Sequence, residues 1–207
     1  MMNIALSGAS VIRTQSKRID SNSPFDFAAL RSGRWNFPNN MNLNESAPDF
    51  ELPDLEGRLH RLRDTRGKIV VVNFWSCECP HSERTDQALM AASVRWGKEV
   101  TILPIASNRN ESLQSINEIS RARRQPILLI DAEHFVADLY NAQTTPHIFV
   151  MDRDGVLRYR GAVDDVTFRQ RKPTRSFLDE AVEALLEGRL PALTETPAYG
   201  CAIVREI

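Results

Sequence analysis

The chain has 207 residues, with Lys+Arg 26 against Asp+Glu 27 and a formal net charge of -1. That balance suits one globular domain with appendages and offers no bulk attraction for nucleic acid or an anionic membrane surface. Hydrophobic residues at 42% are enough for a core, and no apolar run approaches the ~20 residues that cross a bilayer, so no membrane span is expected.

The opening stretch MMNIALSGASVIRTQSKRID has a short apolar patch without a cationic start, so no secretory leader is read and the expected compartment is the cytoplasm. A structural disulfide framework is not expected there. The cysteines are Cys77, Cys79 and Cys201, too few and too unevenly spaced for a stapled scaffold, and suited instead to reactive or metal-binding use. Residues 1–45 are rich in Ser, Asn, Arg and Pro without periodicity and read as a flexible extension, in which Met41 is a candidate start.

The segment APDFELPDLEGRLHRL holds two short alternating stretches around DLEG, the pattern of a β-hairpin. Ile69 to Trp75 is apolar apart from Asn73, as for a strand covered on both faces. A helix follows from Pro80, because proline suits a first helical turn and Leu89, Ala92 and Trp96 recur at helical spacing. Strand VTILPIA, helix ESLQSINEISRARR, strand PILLID and helix AEHFVADLYN then alternate, which predicts parallel strands with crossover helices. PHIFVMDRDGVLRYRGAV reads as a hairpin turning at Asp154-Gly155, and TRSFLDEAVEALLEG as a last amphipathic helix stopped by Gly188. Arg121, Arg123 and Arg124 read as a solvated helix end, and His60 and His134 as surface residues. The resulting division is an extension over 1–45, an α/β domain over 46–188 and a tail over 189–207 that carries Cys201.

Cysteine reacts as the thiolate, and a helix N-terminus stabilises that charge through its free N–H groups and dipole. Cys79, directly before Pro80 where strand becomes helix, is placed for this effect. Downstream, Thr145-Pro146 precedes the strand HIFVMD. A cis bond there would present the Thr145 backbone as a docking edge for an extended thiol substrate.

Together, APDFELPDLEG, VVVNFW, the Cys-Pro helix start, the Thr-Pro before HIFVMDRDGVLRYRG and the final helix resemble the thioredoxin-like redoxin superfamily from about Ala47 to Gly188. The resemblance implies a thioredoxin-like fold: a central mixed β-sheet flanked by helices, here with an N-terminal β-hairpin. It also implies thiol-disulfide or peroxide chemistry with Cys79 as attacking thiol, Thr145-Pro146 as the cis-proline motif, and no cofactor. Ser82 stands where thioredoxins carry the second cysteine of Cys-x-x-Cys, and Asn73 where they place a buried acid. Ser76, three residues before Cys79, resembles the peroxiredoxin hydroxyl that meets a peroxide oxygen, while Val72 and His147 depart from that pattern.

A resolving thiol is then needed. An extended Cys77-Glu78-Cys79 span separates its ends by about 7 Å, at the limit of disulfide geometry. Cys201 lies on a tail long enough to return across the domain, and its Tyr-Gly-Cys setting resembles redoxin relatives that lack Cys-x-x-Cys. The tail is expected to be mobile while its thiol is reduced and docked once it is oxidised. The reading is therefore a thiol-disulfide oxidoreductase in which Cys79 attacks and Cys201 or Cys77 resolves, with Ser76, Pro80, His81, Thr145 and Pro146 around the substrate. Its expected partners are a protein or small-molecule disulfide or peroxide and a thiol electron donor, with a homodimer as an option. Thiol-dependent peroxide reduction is the alternative. Copper binding through Cys77, Cys79 and His81 is a third reading, although its Cys-x-Cys spacing is shorter than that of the copper-delivery branch it resembles.

Overall fold

The computed structural model describes residues 41–206, so most of the extension expected over 1–45 lies outside the described residues. The DLEG turn joins β1 (Glu51–Pro53) to β2 (Leu59–Arg61) in an antiparallel hairpin. Asp54 closes the turn, its carboxylate accepting from the N–H groups of Glu56 and Arg58 at 2.9 Å each. In chain order there follow β3 (Ile69–Trp75), α1 (Pro80–Trp96), β4 (Val100–Ala106), α2 (Leu113–Ala122), β5 (Leu129–Ile130) and α3 (Phe135–Leu139). The chain is completed by β6 (Thr144–Thr145), β7 (His147–Met151), β8 (Leu157–Gly161), α4 (Phe177–Leu186) and β9 (Cys201–Ala202).

The central sheet has the order β5-β4-β3-β7-β8. It is parallel across β5, β4 and β3, and antiparallel from β3 through β7 to β8. Every residue of β3 is buried, and its alternating side chains enter two layers. Val70, Val72 and Phe74 join Phe50, Tyr140, Phe149 and Met151 on one face. On the other, Ile69 and Val71 join Leu89 and Trp96 of α1 and Leu178 and Val182 of α4. This is the mixed sheet between helices, with an N-terminal hairpin, of the thioredoxin-like fold.

Three expectations change. The strand over PILLID contracts to Leu129–Ile130 at the sheet edge. Met41 is 5% exposed within the first core layer, and its carbonyl accepts from Arg160 Nη1 at 2.8 Å, so the folded part begins before residue 46. The tail is also docked although all three cysteines are free. Its first contact is along β8, where Arg160 N–H donates to the Thr194 carbonyl at 3.0 Å, Thr196 N–H to the Arg160 carbonyl at 3.1 Å and Ala162 N–H to Thr196 Oγ1 at 2.9 Å. Gly161, at φ 140, permits that approach, since a Cβ there would lie 2.2 Å from Thr196 Oγ1. The tail then pairs β9 antiparallel to β6, Thr145 opposite Cys201. Backbone hydrogen bonds hold it without any sulfur–sulfur bond.

Candidate active site

β3 ends at Trp75, and the chain turns into α1 through Ser76, Cys77, Glu78 and Cys79. Ser76 shapes that loop. Its Oγ accepts from the N–H groups of Glu78 at 3.2 Å and Cys79 at 3.0 Å and donates to the Glu111 carboxylate, whose second oxygen accepts from Cys77 N–H at 3.2 Å. The serine is 2% exposed. The hydroxyl expected to meet a peroxide oxygen is thus engaged in this structure by the N–H groups of Glu78 and Cys79 and by the Glu111 carboxylate, and it shapes the loop. Ser82, in the place of a second cysteine, accepts from Ser76 N–H at 3.2 Å and ties the same loop to the first helical turn.

Cys79 is the N-cap of α1 with extended backbone, φ -85 and ψ 118, and Pro80 is the first helical residue. Proline fits there because an N–H at that place has no helical partner. The sulfur meets β6 and β9 together: Cys79 Sγ lies 2.9 Å from the Thr145 carbonyl oxygen and 2.7 Å from Cys201 Sγ. The Thr145-Pro146 bond is cis. Burial, the largest influence, pushes the Cys79 thiol up, but the Cys201 thiol, the Ser82 N–H and the Cys201 N–H outweigh it and hold Cys79 below the ordinary thiol range. Cys201 is pushed up to about 12, first by burial and then by its contact with Cys79. The pair is thus biased unequally, Cys79 toward the thiolate and Cys201 toward the thiol.

Cys77, two residues away, has the opposite setting. It sits in an apolar cluster with Trp75, Ala106, Ile116 and Leu128, and its thiol is pushed up to about 12 by burial and then by Glu111. The sequence left Cys77 open as an alternative resolving thiol; its surroundings, like those of Cys201, favour the protonated form.

The Thr145 edge, expected to be open for a substrate, is occupied by the tail. Beyond the β6–β9 pair, Ile203 N–H donates to the Gln143 carbonyl at 3.0 Å. On the opposite side Val204 N–H donates to Asn108 Oδ1 at 2.9 Å, and Arg109 N–H to the Val204 carbonyl at 2.9 Å. His81 faces the tail as well, its ring edge-on to Tyr199 with centroids 5.1 Å apart. Among the described residues, no cluster of three His, Cys, Asp or Glu side chains is arranged to hold a metal ion.

Arg123 overturns the reading of a solvated helix end. Its side chain is 14% exposed and donates to the Ser76 carbonyl at 3.2 Å and the Cys77 carbonyl at 2.9 Å. The guanidinium also lies 5.5 Å from the Trp75 ring centroid and 3.5 Å from Asp86. Asp86, buried, accepts from Trp75 Nε1 at 3.0 Å; burial raises its carboxyl above the usual range, opposed by Trp75 and Arg123. His134 is buried too, with Nδ1 3.2 Å from the Ser107 carbonyl. Asn73 is fully buried, and its amide has no partner among the described residues. Sequence reasoning passed over Glu111, Asn108 and Asp86 and read Arg123 only as a solvated cation. For Asn108, Glu111 and Arg123 the one signal was position, in a loop or at a helix end beside the strand termini where α/β folds gather function.

The chain is similar to a known family and to several known proteins. A family model described as AhpC/TSA family matches residues 43–160. Thiol-disulfide oxidoreductase ResA of Geobacillus kaustophilus is 32% identical over 117 residues, covering 56% of this chain and 67% of that protein. ResA of Geobacillus thermodenitrificans is 33% identical over 120 residues, with the same 56% and 67% coverage. A crystal structure of a hypothetical protein from Sinorhizobium meliloti superposes with TM-score 0.72 at 31% identity, covering 80% of this chain and 95% of that one. An uncharacterized conserved protein from Geobacillus kaustophilus superposes with TM-score 0.74 at 28% identity, covering 81% and 94%. With the family match spanning more than half of the sequence, the chain belongs to the AhpC/TSA family within the thioredoxin-like redoxin superfamily and is an oxidoreductase.

Proposed function

We propose that the chain exchanges thiols and disulfides through Cys79 and Cys201. The observation that carries this reading is the 2.7 Å approach of the two sulfurs, with Cys79 held toward thiolate and Cys201 toward thiol. The Cys79 thiolate attacks one sulfur of a substrate disulfide; that bond breaks, the leaving sulfur takes a proton from water, and a mixed disulfide forms. Cys201 then bonds to the Cys79 sulfur, its proton passing to the departing substrate thiolate. The products are a reduced substrate and a Cys79–Cys201 disulfide, two electrons having moved to the substrate, and an external thiol donor restores the pair. The reading is supported by the names of the relatives, thiol-disulfide oxidoreductase ResA among them. Cys77 is disfavoured as the resolving thiol by its place in the apolar cluster with Trp75, Ala106, Ile116 and Leu128, whereas the Cys201 sulfur meets that of Cys79.

Peptide mapping of the oxidised, non-reduced protein tests the assignment. A Cys79–Cys201 linkage is expected. A Cys77–Cys79 linkage would transfer resolution to Cys77, and a stable sulfenate on Cys79 with Cys201 free would move the chain to peroxide reduction.

A further inference from the structure

The tail lies in a groove with two polar walls: Gln143 and the β6 backbone on one side, Asn108 and Arg109 on the other. The hydrogen bonds between the walls and residues 201–204 use the tail's backbone, so the walls accept an extended strand of any sequence. Two positions do discriminate. At Gly200 a Cβ would stand 2.3 Å from the Thr145 carbonyl oxygen and 2.7 Å from the Thr145 carbonyl carbon, both backbone atoms that cannot swing aside. At Ile203 the side chain is 6% exposed and belongs to the apolar cluster that contains Tyr140 and Ala142, whereas Ala202 between them faces solvent. Cys201 falls where its sulfur meets Cys79.

Resting on the thiol-disulfide reading above, we infer that this groove is also the substrate groove, and that its substrates are polypeptide disulfides presenting an extended Gly-Cys-x-aliphatic segment like that of the tail. Substrate and tail then take turns. The tail leaves, the substrate strand pairs with β6, and the Cys79 thiolate bonds to the substrate cysteine while the substrate disulfide breaks and releases its other sulfur. When the tail returns, Cys201 bonds to Cys79, the Cys79–substrate bond breaks, and the Cys201 proton goes to the released substrate thiolate. The same backbone pairing that docks Cys201 thus expels the product, and strand addition at a sheet edge is the means of recognition.

The test uses the full chain carrying Cys201→Ser, which retains a docked tail but cannot resolve. Its probe is the peptide Thr-Pro-Ala-Tyr-Gly-Cys-Ala-Ile-Val-Arg-Glu, with the cysteine joined to thionitrobenzoate, compared with glutathione joined to the same group. Thionitrobenzoate release gives the rate, and mass spectrometry identifies the peptide on Cys79. The peptide should react at least roughly tenfold faster than the glutathione disulfide, and exchanging its glycine for alanine should remove that advantage, as expected for an overpacked contact. Adding Gly200→Ala to the protein weakens the competing tail and should raise the peptide rate, a direction opposite to that of general damage to the fold. Equal rates for peptide and glutathione disulfides would overturn the groove assignment and leave the thiol-disulfide reading standing. No reaction with either would overturn both, and a Gly200→Ala chain slower toward the peptide would refute the competition.

Discussion

In a Cys201→Ala chain, Cys79 keeps its helix start and the backbone N–H groups around it but loses the thiol 2.7 Å away. A hydrogen bond to an ionised group contributes about 1.5–3 kcal/mol, and a thiol is a weak donor, which places this one near the lower end. Cys79 is 1% exposed, so solvent screening does not reduce the effect. At ~1.4 kcal/mol per factor of ten, the thiolate population at any pH below the titration falls roughly tenfold. Thiolate ultraviolet absorbance measures this population at equilibrium, without a reagent having to enter beneath the tail. Cys77 and Cys201, both pushed up to about 12, stay silent across the range where Cys79 titrates. The wild-type curve should lie at lower pH than that of a free thiol and the Cys201→Ala curve should move upward. Cys201→Ser, whose hydroxyl keeps a donor at that place, should move less. Coincident wild-type and Cys201→Ala curves, or equal shifts in the two variants, would refute the assignment of Cys201 as the stabilising donor.

Three further outcomes are expected. Burial, with Arg160 adding a smaller effect, lowers the His147 imidazole from 6.5 to about 4; the unfolded chain takes up a proton below 6.5 that the folded one refuses, so stability is lost as pH falls through this window. The loss amounts to about 3 kcal/mol, and urea titrations at both ends should show most of it absent in His147→Asn, with equal losses in the two proteins counting against the argument. Arg123→Ala leaves the Asp86 carboxyl buried without its cation and frees the Ser76 and Cys77 carbonyls, a loss of about 3 kcal/mol in denaturant unfolding that Arg123→Lys restores only in part; a cost under about 1 kcal/mol would sink it. Gly161→Ala drives a methyl into Thr196, costing about 1–3 kcal/mol and hastening tryptic cleavage after Arg189; an unchanged cleavage rate would show that the β8 contact does not anchor the tail.

The sequence by itself determined the elements whose signals are local. Ile69–Trp75 and Val100–Ala106 form over the residues whose continuous apolar character marks buried strands, Pro80 opens α1, and Asp154-Gly155 turns the β7–β8 hairpin. Each follows from side-chain period, from a proline at a place where its missing N–H is harmless, or from a glycine at positive φ. It also pointed to Cys79, at a helix start marked by Pro80, and to the Thr145-Pro146 edge, which its order after Cys79 and the resemblance to redoxins singled out. Tertiary structure alone decided what stands opposite them. β6 and β9 are two residues each, too short to show a period, and their pairing joins residues far apart in the chain. Ser76 looks like a free hydroxyl until Glu111 closes on it, and Arg123 looks like a solvated cation until Trp75, Asp86 and two loop carbonyls surround it. Whether a polar side chain is free or engaged depends on groups remote in sequence that folding brings within hydrogen-bond distance. For this protein that dependence settled which cysteine faces Cys79.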